Sequence, residues 1–131
     1  ITALENIIIY LKDMSDAKII LIGQNANFTQ SLESRIVRVG LGENLNKLSY
    51  KLLQPYTENA SKILKDMADN LNIKFLERFS FVCNKLKRSC LMANAEGSLL
   101  YRDDNHWSVN GQKYFGSLLV NEMMNREFLR N

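Results

Sequence analysis

The sequence predicts an α/β fold of three layers, an α/β/α sandwich in which helices cover both faces of a parallel sheet. Two observations carry this prediction: a helical pattern followed by a short β-branched apolar run, and the same order of elements later in the chain. Continuous apolar runs are typical of strands buried on both faces. Two helix–strand units in series favour the right-handed parallel arrangement. The 131 residues form one predicted domain, 1–131.

The first unit is a predicted helix over residues 3–14 and a predicted strand over residues 17–22. Apolar residues recur at helical spacing in the first segment: Leu4, Ile7, Ile8, Leu11 and Met14. Ser15 and Asp16 end the helix, and Gly23 ends the strand. We therefore expect a central strand that is buried on both faces.

The segment after this strand is polar. In open α/β sheets the carboxyl ends of the strands border the ligand crevice, so Asn25 and Asn27 either face a site or cap their own loop. Residues 31–39 predict a short helix, and residues 40–42, which include two glycines, predict a break. Residues 44–53 are either helical or irregular.

The second unit begins after the single proline, Pro55. Residues 57–71 have the clearest helical pattern in the chain, and residues 73–75 predict a strand with a possible extension to Phe79. The helix places these apolar residues on one face: Ala60, Ile63, Leu64, Met67, Ala68 and Leu71.

The C-terminal third is predicted to end in a helix. Residues 79–95 predict a loop with a short helix, and the amphipathic segment 107–124 predicts the final helix. Its expected apolar side consists of Val109, Tyr114, Phe115, Leu118, Leu119 and Met123. Gly111 costs helix stability by about 1 kcal/mol but permits a close approach to the sheet or to a site. The polar tail 125–131 is predicted to fray.

Composition argues against two classes of protein. The net charge of +3 is only mildly basic, and the densest basic cluster is Lys85, Lys87 and Arg88. Nucleic-acid binders concentrate such charge on one face among aromatic residues, so we expect a solvated turn here and no nucleic-acid partner. The longest apolar run, residues 19–22, is far shorter than the roughly 18 residues that span a bilayer.

The two cysteines, Cys83 and Cys90, have six residues between them. This spacing permits a short disulfide loop if the backbone turns back, and two reduced, partly buried thiols are the equal alternative. One histidine and one pair of cysteines do not supply a structural zinc site.

The single histidine, His106, follows Asp103 by three residues on a polar turn. A histidine can act as a general base near neutral pH, because its ordinary pKa is about 6.5. A carboxylate on the same turn can orient the ring and stabilise the imidazolium ion. Asp104 is the rival acid, and Ser108 is expected to cap the next helix rather than to act as the nucleophile. The alternative is that Asp103 and His106 only pack against neighbours or cap the next helix. A metal site formed by Asp103, Asp104 and His106 has less support, because the chain supplies no matching distant ligands.

A longer stretch around this turn resembles a block of the SGNH (GDSL-like) hydrolases. The pattern is a small apolar residue, Tyr, any residue, Asp, two residues, His, Leu-Ser, two residues and Gly; here it lies within the stretch 99–111, with Trp107 in place of the leucine. The closest resemblance is to SGNH domains fused to membrane acyltransferases of the O-antigen acetylase type. Residues 17–23 and 59–79 resemble other parts of these domains, and the two cysteines resemble a pair found in many of them.

This resemblance implies that Asp103 and His106 are the acid and base of a Ser-His-Asp relay. It implies a parallel three-layer fold without a metal or organic cofactor, and a Cys83–Cys90 disulfide. No Gly-Asp-Ser or Gly-x-Asn-Asp sequence is present. The chain is therefore expected to be the C-terminal portion of an SGNH domain, inactive alone, whose N-terminal half carries the serine and the oxyanion hole.

The resemblance further implies O-acyl transfer, commonly of acetyl, from an acyl donor to a bacterial cell-surface polysaccharide. An integral-membrane acyltransferase region is expected upstream, with the domain at the periplasmic face of the inner membrane. One alternative is a stand-alone SGNH esterase that releases the acyl group to water. A second is a non-catalytic α/β module that binds carbohydrate or protein, and a third is a complete domain of unrelated function.

Overall fold

The computed structural model describes residues 2–126. Ten elements follow one another along the chain: α1 Thr2–Met14, β1 Ile20–Ile22, α2 Leu32–Val39, α3 Glu43–Lys51, α4 Tyr56–Asn70, β2 Lys74–Leu76, α5 Phe79–Val82, β3 Cys83–Asn84, β4 Ser89–Cys90 and α6 Val109–Asn125. Every predicted helix is found close to its expected bounds, and the open segment 44–53 is helical as α3. Residues 127–131, where most of the predicted fraying falls, lie outside the described residues.

The parallel pairing of the two predicted strands is confirmed. Ile20 pairs with Lys74 and Ile22 with Leu76, and α4 connects the strands and packs against both. The backbone N–H of Gly23 donates to the carbonyl oxygen of Leu76 and extends the ladder by one bond. Within residues 2–126 this parallel sheet has two strands, so the full three-layer sandwich is not seen.

The prediction of a strand over 17–22 that is buried on both faces is wrong in extent and in burial. Residues 15–19 are irregular, and Ile22 is 43% exposed. The reason is local: β1 pairs along one edge only, and α1 packs loosely against the rest of the described chain. The apolar run is sufficient to form strand β1, but it does not ensure that other elements cover both faces of that strand.

The core lies between α2, α3, α5, the β3–β4 hairpin and the first half of α6. Phe28, Tyr101 and Phe115 pack edge to face, with ring centroids 5.3 Å and 6.4 Å apart for the two successive pairs. Burying side chains of this size contributes about 1.5–3 kcal/mol each. Twelve buried residues form the cluster: Ala26, Phe28, Leu32, Leu45, Phe79, Val82, Cys83, Cys90, Met92, Leu100, Tyr101 and Phe115.

A small antiparallel hairpin replaces the loop that was predicted after the short helix α5. Cys83 and Cys90 face each other across it, and their sulfur atoms form a disulfide with an S–S distance of 2.08 Å. Residues 85–88 form the exposed turn that was expected, and Arg88 has a φ of 49°. The hairpin was missed because each of its strands is only two residues long.

Helix α6 begins as predicted at a Ser108 cap, whose Oγ accepts a hydrogen bond from the N–H of Gly111. The expected apolar side is wrong at Val109 and Tyr114, which are 68% and 40% exposed. The helix instead turns Gly111 and the buried Phe115 toward the core. A Cβ atom at Gly111 would overlap the carbonyl oxygen of Leu100, so the predicted close approach is present.

Candidate active site

The turn from Tyr101 to Trp107 is closed by backbone bonds at its base and by one carboxylate inside it. Tyr101 and Trp107 form an antiparallel bridge, and the N–H of Arg102 donates to the carbonyl oxygen of His106 over 2.9 Å. Asp103 Oδ1 accepts from the backbone N–H groups of Asn105 and His106 at 3.0 Å and 2.8 Å. Aspartate favours such turns because its short side chain reaches the backbone that follows it.

The ring of His106 contacts the same carboxylate. Its Nδ1 lies 2.9 Å from Asp103 Oδ2 and 3.1 Å from Oδ1. Hydrogen bonds from the backbone N–H of Asn105, then from the N–H and ring of His106, hold the pKa of Asp103 well below its usual range. An ionised carboxylate can only accept hydrogen bonds, so Nδ1 carries the proton and Nε2 has the free lone pair.

Asp104 does not take this role. Its carbonyl oxygen accepts a bond from the N–H of Phe28 at 3.0 Å, and its side chain is exposed. Of the two carboxylates that the sequence offered, the structure brings Asp103 to the histidine. Ser108, in turn, caps α6 and donates to the carbonyl oxygen of Leu99, so it is engaged away from the ring.

The loop after β1 holds the turn in place. The hydroxyl of Tyr101 donates to Asn25 Oδ1 and to the carbonyl oxygen of Ala26, at 3.1 Å and 3.2 Å. The Asn25 amide donates to the carbonyl oxygen of Asn105 at 3.1 Å. Burial raises the pKa of Tyr101, which keeps its hydroxyl protonated as a donor. Asn25 therefore joins two segments that are about 80 residues apart in the sequence.

A cleft of about 460 Å³ lies beside His106, at the carboxyl ends of the two parallel strands. Gln24 follows β1 and Arg78 follows β2, as expected for a ligand crevice in a parallel sheet. Five side-chain amides line it: Gln24, Asn25, Asn27, Asn105 and Gln112. Its other lining residues are Arg78, Arg102, His106 and Trp107.

Sequence reasoning reached Asn25 and Asn27 as candidate lining residues but missed Arg78, Arg102, Trp107 and Gln112. Arg78 had a usable signal, because it follows the carboxyl end of the second predicted strand. Gln112 had none, since its position depends on how α6 docks through Gly111.

A serine partner for the histidine is not found in the part of the chain that the structure describes. Within residues 2–126, His106 Nδ1 contacts only Asp103, and no serine hydroxyl hydrogen-bonds to the ring. The same residues contain no group of three or more metal-ligating side chains. None of their helices is long and apolar enough to cross a membrane.

Comparison with known proteins agrees with this architecture. A family model described as the SGNH domain (fused to AT3 domains) matches residues 3–121. Among solved structures, the chain is similar to the periplasmic domain of a lipopolysaccharide acetyltransferase from Salmonella ser. Paratyphi A, with a TM-score of 0.76 at 18% sequence identity. The match covers 94% of this chain and 48% of that one, so this chain spans about half the length of its structural neighbour.

At this identity the structural likeness shows a shared fold, and no curated protein matches the chain. The family model rests on the sequence and covers nearly all of it. On this evidence the chain belongs to the SGNH domain family that is found fused to AT3 domains.

Proposed function

We propose that Asp103 and His106 are the acid and base of a serine-dependent acyltransferase whose nucleophilic serine lies outside this chain. The observation that carries the proposal is the 2.9 Å contact between His106 Nδ1 and Asp103 Oδ2. It sets the tautomer in which Nε2 can accept a proton, and His106 itself lines the cleft. This is the arrangement that activates a serine in unrelated serine hydrolases.

In the first half of the reaction, Nε2 accepts the serine proton while the serine oxygen attacks the acyl carbonyl carbon. The donor's leaving group departs with the proton that His106 returns, and an acyl-serine remains. In the second half, Nε2 accepts the proton of an acceptor hydroxyl, whose oxygen attacks the acyl-serine. The serine oxygen leaves and takes the proton back. The ionised Asp103 stabilises the imidazolium ion in both halves.

We also propose that the chain is the C-terminal portion of an SGNH domain of three layers. Three observations support this: the 48% coverage of the structural neighbour, the single-sided pairing of β1, and the exposed apolar side of α1. The rest of the domain would contribute the serine and the oxyanion hole. Oxyanion-hole donors are worth about 3–4 kcal/mol each in serine hydrolases.

The proposed reaction is O-acyl transfer, most specifically O-acetylation of a bacterial cell-surface polysaccharide, on the periplasmic side of the inner membrane. The fusion to AT3 domains in this family and the periplasmic lipopolysaccharide acetyltransferase among its structural neighbours support this assignment. The Cys83–Cys90 disulfide also supports it, because such bonds persist in oxidising compartments.

The test is acyl transfer by the full-length protein that carries this chain. His106→Gln should lower the transfer rate by about a thousandfold or more, and Asp103→Asn by about a hundredfold to ten-thousandfold. Asp104→Asn is the matched control, because it removes a neighbouring carboxylate that does not contact the ring. It should change the rate by less than about threefold.

A fluorophosphonate probe reports the serine independently of the acceptor. It should label the wild-type protein and label His106→Gln far more slowly. Undiminished transfer by a folded His106→Gln variant would refute the relay. Acyl release to water at the same rate with and without polysaccharide would instead assign a hydrolase.

A further inference from the structure

Arg78 stands where β2 ends and borders the same cleft as His106. Its guanidinium carbon lies 5.3 Å from the centroid of the Trp107 ring, which also borders the cleft. Its Nε is buried and has no hydrogen-bond acceptor among the described residues. Among the described residues, the guanidinium therefore has a cation–π contact with Trp107 and no hydrogen-bond partner for its Nε.

The other arginines of this region differ from Arg78. Arg35 is fully buried, but its Nη1 donates to Ser49 Oγ over 2.8 Å and its Nε donates to the backbone. Arg102 is exposed and pairs with Asp103 over 3.4 Å. Glu77 precedes Arg78, yet its Oε1 accepts from the N–H of Phe79 and from the hydroxyl of Ser61. In the described part of the chain, no carboxylate forms an ion pair with Arg78.

The cleft itself is positively charged. None of its nine lining residues is Asp or Glu, and the carboxylate of Asp103, which contacts the lining residue His106, is engaged by the ring of that histidine and by Arg102. Taking a guanidinium out of water without an ion-pair partner is costly. Burial lowers the pKa of Arg78, and the nearby Tyr101 and Glu77 offset this shift only in part. A planar guanidinium pairs best with a carboxylate or a phosphate, which can accept two parallel hydrogen bonds.

The remaining lining residues are suited to a neutral, hydroxyl-rich molecule. The five amides supply both donors and acceptors, which is what a sugar ring with several hydroxyl groups requires. The cleft therefore combines many neutral polar groups with one half-buried cation, Arg78, that has no ion-pair partner among the described residues. That combination matches a carbohydrate that carries a single anionic group.

We propose that Arg78 binds a carboxylate or phosphate group on the acceptor sugar and so makes the acyl transfer selective for acidic carbohydrates. This inference rests on the proposed function, because the acceptor is the one that His106 would deprotonate. Trp107 acts as the positioning residue that holds the guanidinium plane. The structure thus separates proton transfer, at His106, from recognition of charge, at Arg78.

Binding to the full-length protein can be measured by calorimetry with four probes: methyl glucuronide, glucose 1-phosphate, methyl glucoside and coenzyme A. The first two carry the two candidate anions, the third is neutral, and the fourth represents an anionic acyl donor. We expect one of the acidic sugars to bind about tenfold to a hundredfold more tightly than methyl glucoside, as for hydrogen bonds to a charged group. Which of them binds more tightly identifies the anion.

Arg78→Gln should abolish this preference and leave the affinity for methyl glucoside within about threefold. Arg78→Lys should restore part of it, which a purely structural role would not do. Lys87→Gln is the control, because it removes an exposed cation on the hairpin turn, outside the cleft. Thermal unfolding of each variant reports whether the stack on Trp107 is needed for folding.

His106→Gln separates this inference from the proposed function. It should abolish transfer and retain the preference for the acidic sugar. Equal affinity for methyl glucoside and both acidic sugars in the wild-type protein would overturn the inference and leave the relay standing. Arg78-dependent binding of coenzyme A alone would also overturn it, because the anion would then belong to the donor.

Discussion

The surroundings of the Asp103–His106 turn and those of α1 are built differently. Around the turn, twelve buried residues form one continuous cluster, and none of them comes from α1 or β1. In α1, five large apolar residues are between 46% and 67% exposed, and only Ile8 among its large apolar residues is buried. The site thus has its own core, whereas the α1 side presents apolar surface. A core local to the site can hold the histidine and aspartate in place although the parallel sheet of the described residues has two strands.

The strongest test of this contrast uses two glycines of α6. Gly111→Ala should destabilise the protein by about 3 kcal/mol or more, because its Cβ would overlap the carbonyl oxygen of Leu100. Gly116→Ala is the matched control in the same helix, with open space around its Cβ. It should stabilise the protein by up to about 1 kcal/mol. Urea unfolding measures both, and equal effects would show that the helix does not dock tightly on Leu100.

Removing the disulfide should cause the next largest decrease in the free energy of unfolding. The double variant Cys83→Ser with Cys90→Ser should lower the free energy of unfolding by about 2–3 kcal/mol, because the unfolded chain regains the freedom of a short loop. Both cysteines belong to the core cluster, so loss of their packing adds to the effect. Reduction of the wild-type protein should give the part of this decrease that comes from the loop alone. Unfolding curves that coincide with and without reductant would contradict this expectation.

Removing the hydrogen bonds between Tyr101 and the loop after β1 should have a moderate effect on the free energy of unfolding. Tyr101→Phe removes a buried hydroxyl that donates to Asn25 and to the carbonyl oxygen of Ala26, and should cost about 1–2 kcal/mol. Tyr114→Phe removes a hydroxyl from a 40% exposed residue and should cost less than about 0.5 kcal/mol. A similar cost for both variants would mean that the turn is not held by this contact.

The Asp103 carboxylate should make stability depend on pH in one direction. Its pKa is lower in the folded protein than in the unfolded chain, where about 3.9 is usual, so the ionised group favours the folded state at neutral pH. That contribution is lost as the pH falls below about 4 and through the folded-state pKa. The stability difference between wild type and Asp103→Asn should therefore shrink in acid. Asp104→Asn is the control, because its side chain accepts none of these bonds.

The smallest change in the free energy of unfolding is expected for substitutions on the exposed side of α1. Ile9→Gln should change the free energy of unfolding by less than about 0.5 kcal/mol, because Ile9 is already 46% exposed. Ile8→Gln, one residue away, should cost about 2–4 kcal/mol, because Ile8 is 3% exposed. In the full-length protein Ile9→Gln should cost more than it does in this chain, if α1 is covered there. An equal cost in both would remove this support for the proposed missing half.

What the sequence could predict depended on how local the determinants were. The helices could be predicted from the spacing of apolar residues. The close contact at Gly111 could be predicted because glycine has no side chain. The pairing of Asp103 with His106 follows from their place on one turn. The exposure of Ile22 could not be predicted, because an apolar run indicates a strand but not the layers that cover it. The proposed binding of an anion by Arg78 could not be predicted either, because it requires knowing that no carboxylate of the described residues forms an ion pair with its guanidinium.

Asp103 and His106, the proposed acid and base, lie on one turn, and this affects how a complete site would assemble. Among the described residues, the imidazole hydrogen-bonds to Asp103, and the backbone N–H of His106 donates to the same carboxylate. The entropy of ordering acid and base is therefore lost when this chain folds, before any serine is present. A serine-bearing segment has to be aligned with one preformed unit instead of two independent ones. The proposed triad would then assemble from two parts, the Asp103–His106 turn and the segment that carries the serine.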